Sequence, residues 1–116
     1  MSKVEAARRR RPGPADPAPV FAALGDPTRL SLVMTLSSGG AKSIALLAAD
    51  TRLTRQAVTK HLRVLESAGL VASARSGRES RFTYRPEPLA AARICLDAIS
   101  VQWDDALHRL RVHLEG

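Results

Sequence analysis

Arg55, Gln56, Thr59, Lys60 and Arg63 follow one another at spacings of one or three residues, which on an α-helix gathers them on one side. Glutamine can bond bidentately to adenine, arginine and lysine can bond to guanine or phosphate, and threonine to a base edge or a phosphate. A solvated helix face uses similar residue types, but this stretch holds no acid before Glu66. The chemistry that fits is base reading in a DNA major groove. Val58, Leu62 and Leu65 recur at i, i+4 and i+7 and face inward. His61, three residues beyond Val58, either contacts DNA or packs beneath the helix.

Such a helix needs a frame. Thr54 is a good N-cap for it and Gly69 a good stop after Ala68. Upstream, Ser43 is placed to cap a short helix with Ile44, Leu47 and Ala48 on its buried face, and Asp50 to Leu53 make a brief turn. Two helices joined in this way form a helix-turn-helix candidate. Before them, Asp26 caps and Pro27 opens a helix whose Leu30, Leu32, Val33, Met34 and Leu36 are apolar on more than one side, predicting a place at the centre of the core. Ordered structure is expected to start near Pro19, with Val20, Phe21 and Leu24 as a short helical face. After Gly69, Val71 to Arg75 and Ser80 to Arg85 alternate like strands around Ser76-Gly77. Phe82 and Tyr84 share one face of this hairpin, and Arg75, Arg78 and Arg81 are expected on its basic side and tip. The fold class that emerges is mostly α with a small β-hairpin wing: five helices, the hairpin between the fourth and fifth, in the order of a winged helix-turn-helix.

The last segment carries Leu89, Ala92, Leu96, Ile99, Trp103, Leu107, Leu110 and Leu114 at spacings of three or four residues, one stripe along a helix of ~37 Å. A domain this small cannot cover it alone. A twin helix from a second copy is the expected partner, with Val20, Phe21 and Leu24 completing the interface.

Composition agrees with a basic partner-seeking domain. The chain has 116 residues, 45% hydrophobic but only 3% aromatic, and a formal charge of +7. That length allows one ordinary domain, and a Leu, Val, Ile and Ala core suits packed helices. Residues 52–85 contribute +6 from eight bases and two acids, and residues 1–11 contribute +4, while the rest is slightly acidic. A polyanionic partner follows. Residues 1–18 hold Arg8 to Arg11 and three prolines, a composition expected to stay disordered as a solubilising tail or as an arm reaching DNA; residues 19–116 form the domain. No apolar run approaches the ~20 residues that span a bilayer, and the basic start lacks the apolar stretch of a secretory signal. A cytoplasmic, nucleoid-associated protein with no membrane partner is the expectation.

Other chemistries find little support. One cysteine, Cys95, excludes an internal disulfide framework; it is either a small apolar filler beside the stripe or a redox sensor. Asp104 and His108, at i and i+4, could meet on one metal ion or form an exposed ion pair. His108 and His113 lie about 140° apart around the helix and do not converge. Neither a catalytic triad order nor a phosphate-binding glycine loop is visible, so no enzyme activity and no cofactor are expected. The alternative function, from a different class, is a non-specific architectural DNA binder using the arm and hairpin for charge alone.

Three segments in order, FAALGDPTRL (Phe21 to Leu30), LTRQAVTKHLRVLESAGLV (Leu53 to Val71) and GRESRFTYR (Gly77 to Arg85), closely resemble the ArsR/SmtB family of bacterial transcriptional repressors. The resemblance covers roughly residues 20–114. It implies a homodimeric winged helix-turn-helix that binds a palindromic DNA operator and is released by a small-molecule, redox or other effector. Carried over by position, Thr54, Arg55, Gln56, Thr59, Lys60 and His61 fall on the recognition helix and Arg78 on the wing. The metal-ligand motifs of the family are not reproduced: Ser43 to Asp50 holds neither Cys nor His, and Asp97, Asp104, His108, His113 and Glu115 differ in order and spacing from the C-terminal site.

Overall fold

A computed structural model describes residues 16–116; the Arg8 to Arg11 block lies outside the described residues. The elements are α1 (Ala18–Leu24), α2 (Pro27–Ser37), β1 (Lys42–Ser43), α3 (Ile44–Ala49), α4 (Arg55–Ser67), β2 (Val71–Ser76), β3 (Glu79–Tyr84) and α5 (Glu87–Glu115). This is the expected order with one addition. β1 pairs antiparallel with β3, Lys42 opposite Phe82 and Ser43 opposite Arg81, giving a three-stranded sheet in the order β1-β3-β2. Two residues carry no alternating pattern, so β1 has no signature of its own; pairing with the wing creates it.

The helices start where short polar side chains satisfy their first free N–H groups. Asp26 accepts from the Arg29 N–H at 3.0 Å, Ser43 from Leu46 at 3.1 Å and Thr54 from Ala57 at 3.1 Å. α4 ends in a Schellman motif: the Leu70 N–H reaches the Leu65 carbonyl and the Gly69 N–H that of Glu66. Gly69 has φ +79°, a conformation that costs an L-residue with a side chain about 1–2 kcal/mol.

One hydrophobic core joins every layer. Val58, Leu62 and Leu65 of α4 are fully buried, as are Leu70 and Phe82; Leu32, Val33 and Leu36 of α2, Leu47 of α3, Val20 and Ala23 of α1, and Ala92 of α5 close around them. α2 is not buried all round as its composition predicts. Leu30 is 43% and Met34 64% exposed, because only one side of α2 meets the other elements.

The hairpin pairs Val71 with Tyr84 through Ser76 with Glu79. Gly77 (φ +65°) and Arg78 make the two-residue turn, and with positive φ at the first position only it is of type II′. Phe82 enters the core and Tyr84 is half-buried against it.

α5 runs for 29 residues, about 43 Å at the α-helical rise. Ala92 and Leu89 pack on the core. Beyond them the stripe leaves the body of the chain: Leu96, Ile99, Trp103, Leu107, Leu110 and Leu114 are between 44% and 75% exposed. In α1, which packs against α5, Phe21 stays outward, whereas Leu24 packs against the core and Val20 is buried in it. The expected interface face of α1 is therefore narrower, since Val20 is used by its own domain.

Candidate nucleic-acid interface

The rotation of α4 is fixed by its inner row, Val58, Leu62 and Leu65, and its start by the Thr54 cap. Gln56 and Lys60 are consequently exposed on the side away from that row. They line a crevice of about 570 Å³ together with Arg55 and Thr59, the first turn of α3 from Ser43, and Arg78 to Ser80 at the wing tip. Five residues singled out from the sequence, on two elements separated in the chain, thus converge on one surface. Among the described residues the side chains of Arg55, Gln56, Lys60 and Arg78 make no hydrogen bond or ion pair within the chain, so their donors are free for an incoming polyanion. The Thr59 hydroxyl donates to the Arg55 carbonyl at 2.7 Å, which leaves its oxygen as an acceptor. Thr54 has a different task, since its oxygen caps the helix.

The other named residues are placed differently. His61 points to the opposite flank of α4, where Nδ1 lies 3.7 Å from Asp26 Oδ2 and 3.4 Å from Arg29 Nη1. Of the two roles open to it, the geometry is that of packing beneath the helix. Arg63 pairs with Glu66 at 2.8 Å and lies over the Phe82 ring at 5.7 Å, at the seam between α4 and the wing. Arg75 and Arg81 do not share a side of the hairpin: Arg75 pairs with Ser80 on the face of Phe82, while Arg81 pairs with Ala74 on the other. The alternation of strand side chains separates residues of opposite parity in the register. Arg81 also reaches Glu79 at 3.6 Å, which neutralises part of the basic face.

Two anchoring groups escaped the sequence reading. Arg29 donates from Nε to the Ala23 carbonyl at 2.7 Å and from Nη2 to that of Ala22 at 3.4 Å, tying the end of α1 to α2 and, through His61, to α4. Its place three residues after the Asp26 cap is the only local signal, and its partners are distant in sequence. The Arg29 backbone N–H, and then the charges of His61 and Arg29, hold the Asp26 carboxyl below the usual carboxylate range. Glu66 is the second, its carboxyl lowered by the Ser73 hydroxyl and then by Arg63.

On α5, Asp104 and His108 are exposed and make no ion pair with each other, and Asp105 and Arg109, favourably spaced for one, do not pair either. Among the described residues no three His, Cys, Asp or Glu side chains gather as a metal site. Cys95 is half-buried beside the stripe. No described helix is long and apolar enough to cross a membrane.

Comparison with known proteins agrees with this arrangement. A family described as a helix-turn-helix domain matches residues 24–74. The uncharacterised HTH-type transcriptional regulator YuzN of Bacillus subtilis (strain 168) is 41% identical over 76 residues, covering 60% of this chain and 83% of YuzN. The solved structure of an ArsR-like transcriptional regulator from Rhodococcus sp. RHA1 is 37% identical, with a TM-score of 0.67, over 81% of this chain and 88% of that one. The homodimeric winged helix-turn-helix domain of Mb0332 from Mycobacterium bovis, at 24% identity and a TM-score of 0.57 over 90% of this chain and 89% of that one, shares the fold. With relatives at this identity named as transcriptional regulators, one of them ArsR-like, and with the winged helix-turn-helix fold shared, the chain belongs to the ArsR/SmtB family of winged helix-turn-helix transcriptional regulators.

Proposed function

We propose that the protein is a sequence-specific repressor that binds a palindromic operator as a homodimer and is released by an effector. The observation that carries this reading is the crevice where Arg55, Gln56, Lys60 and Arg78 stand together with unpaired donors. Gln56 supplies base discrimination, while Arg55, Lys60, Arg78 and Arg81 supply phosphate contacts that fix the register. The uncovered stripe of α5, with Phe21 of α1, joins two copies and presents two α4 helices to half-sites about one helical turn apart. The domain begins with Pro17 at the cap of α1 rather than at residue 19, and it suffices for operator preference without the basic Arg8 to Arg11 segment. The protein works in the cytoplasm at the nucleoid, without a resident metal or cofactor.

The test is selection of duplexes from a random pool, followed by a gel shift of the selected duplex against a scrambled one. A palindromic preference is expected, with log affinity falling against log salt at a slope of about −7 for four phosphate contacts per subunit. Equal affinity for both duplexes, with binding lost when residues 1–18 are removed, would establish the architectural alternative instead.

A further inference from the structure

The hydrogen bonds at the seam between α4 and the wing converge on one carboxylate. Glu66, in the last turn of α4, accepts from Arg63 Nη1 through Oε1 at 2.8 Å and from Ser73 Oγ of β2 through Oε2 at 2.5 Å. Its two oxygens therefore serve two elements at once. Ser73 sits opposite Phe82 in the strand register, and the Arg63 guanidinium lies over the Phe82 ring. Reading helix, both wing strands and one arginine meet around a single half-buried carboxyl group.

We propose that Glu66 is a positioning residue for DNA recognition: it clamps the wing to the recognition helix and holds Arg63 at their seam. Gln56 and Lys60 on the helix and Arg78 at the wing tip then meet DNA in one fixed relation. The inference rests on the DNA-reading assignment above. A clamp is needed because a two-stranded ribbon is marginally stable by itself, and β1 supports β3 only at Phe82 and Arg81. On the β2 side, the Ser73 to Glu66 bond is the one side-chain hydrogen bond to α4 among the described residues. A bystander carboxylate would behave in the opposite way. Close to a phosphate-binding surface it would only repel DNA, equally for every sequence.

That contrast sets the experiment. Glu66→Gln removes the charge; Ser73→Ala removes the bridge to the wing and leaves the net charge alone. Each full-length variant is measured against wild type for affinity to the duplex that the wild-type protein selects from a random pool and to a scrambled duplex, and for amide hydrogen exchange of the wing in free protein. Exchange of amides between Ser73 and Ser80 is expected to quicken about tenfold in both variants while α2 and α4 amides stay protected. The ratio of selected to scrambled affinity is expected to fall about three- to tenfold, in Ser73→Ala as well as Glu66→Gln. Tighter binding of Glu66→Gln to both duplexes with an unchanged ratio would overturn the proposal, as would unchanged wing exchange in both variants. If the wild type itself prefers neither duplex, the sequence-specific reading fails. The exchange measurement and the salt slope then decide the clamp, a freed wing making the slope shallower by about one per subunit.

Discussion

Trp103→Ala separates assembly from folding. The indole is 63% exposed in the single chain and takes no part in the buried core. A tryptophan can bury about 150–250 Å², so a partner stripe would newly cover about 100–150 Å² of it. Alanine keeps the Cβ contact, so about 80–120 Å² of that cover is lost, and at about 25 cal/mol per Å² the loss on truncation is about 2–3 kcal/mol per copy. In an isologous dimer the same change is felt twice, about 4–6 kcal/mol, which raises the dimer dissociation constant about a thousand- to ten-thousandfold. Sedimentation equilibrium over a range of concentrations reads this constant directly. Helix content by circular dichroism should be retained at concentrations where the variant is monomeric, and affinity for a palindrome should collapse towards that for one half-site. A variant that dimerises as tightly as wild type would refute the assignment of the α5 stripe as the interface, whatever its effect on DNA binding.

Gln56→Ala should relax preference at one base pair by about 1–3 kcal/mol, whereas Arg78→Ala should weaken binding to all sequences and make the salt slope shallower; equal specificity loss from both would refute this division of labour. Leu62→Ala, at a fully buried site of α4, should cost about 2–5 kcal/mol of unfolding free energy in a denaturant titration, and a smaller loss would mean the core is less tightly packed around that helix. Stability should also be lost in acid. Asp26 and Glu66 both have folded-state pKa values below their usual ones, so their contribution is complete above about pH 5 and disappears as the pH falls through the lowered values. Melting temperature against pH checks this, and Asp26→Asn, which keeps a capping oxygen, should flatten the curve; an unchanged curve would refute the role of Asp26.

Local chemistry explains what the sequence made legible. Caps at Asp26, Ser43 and Thr54 and the stop at Gly69 act over three or four residues, so the helix starts and the end of α4 could be read without knowing the fold. The α5 stripe was legible for the same reason, its period being internal to one helix. What stayed hidden depends on partners far along the chain. β1 exists through Phe82 and Arg81, His61 takes its direction from Asp26 and Arg29, and Arg75 and Arg81 are parted by a register that only the turn at Gly77 fixes. Leu30 and Met34 show the converse error: apolar character on two sides of α2 does not imply neighbours on two sides.

The restraints on α4 explain why the reading surface and the stripe belong to one device. Near its middle, His61 is held by the Asp26 and Arg29 pair at the start of α2, and Arg29 in turn holds the end of α1. At its C-terminal end, Gly69 lies so close to α5 that a Cβ there would stand 3.3 Å from the Pro88 ring. The end of α1 thus reaches α4 through the side chains of Arg29 and His61, and the start of α5 lies against the turn that follows α4. Close-packed interiors transmit displacement because they have few voids to absorb it. Under the proposed function two α4 helices would have to match two half-sites together, so a dimer built on α1 and α5 would make its own geometry part of DNA recognition.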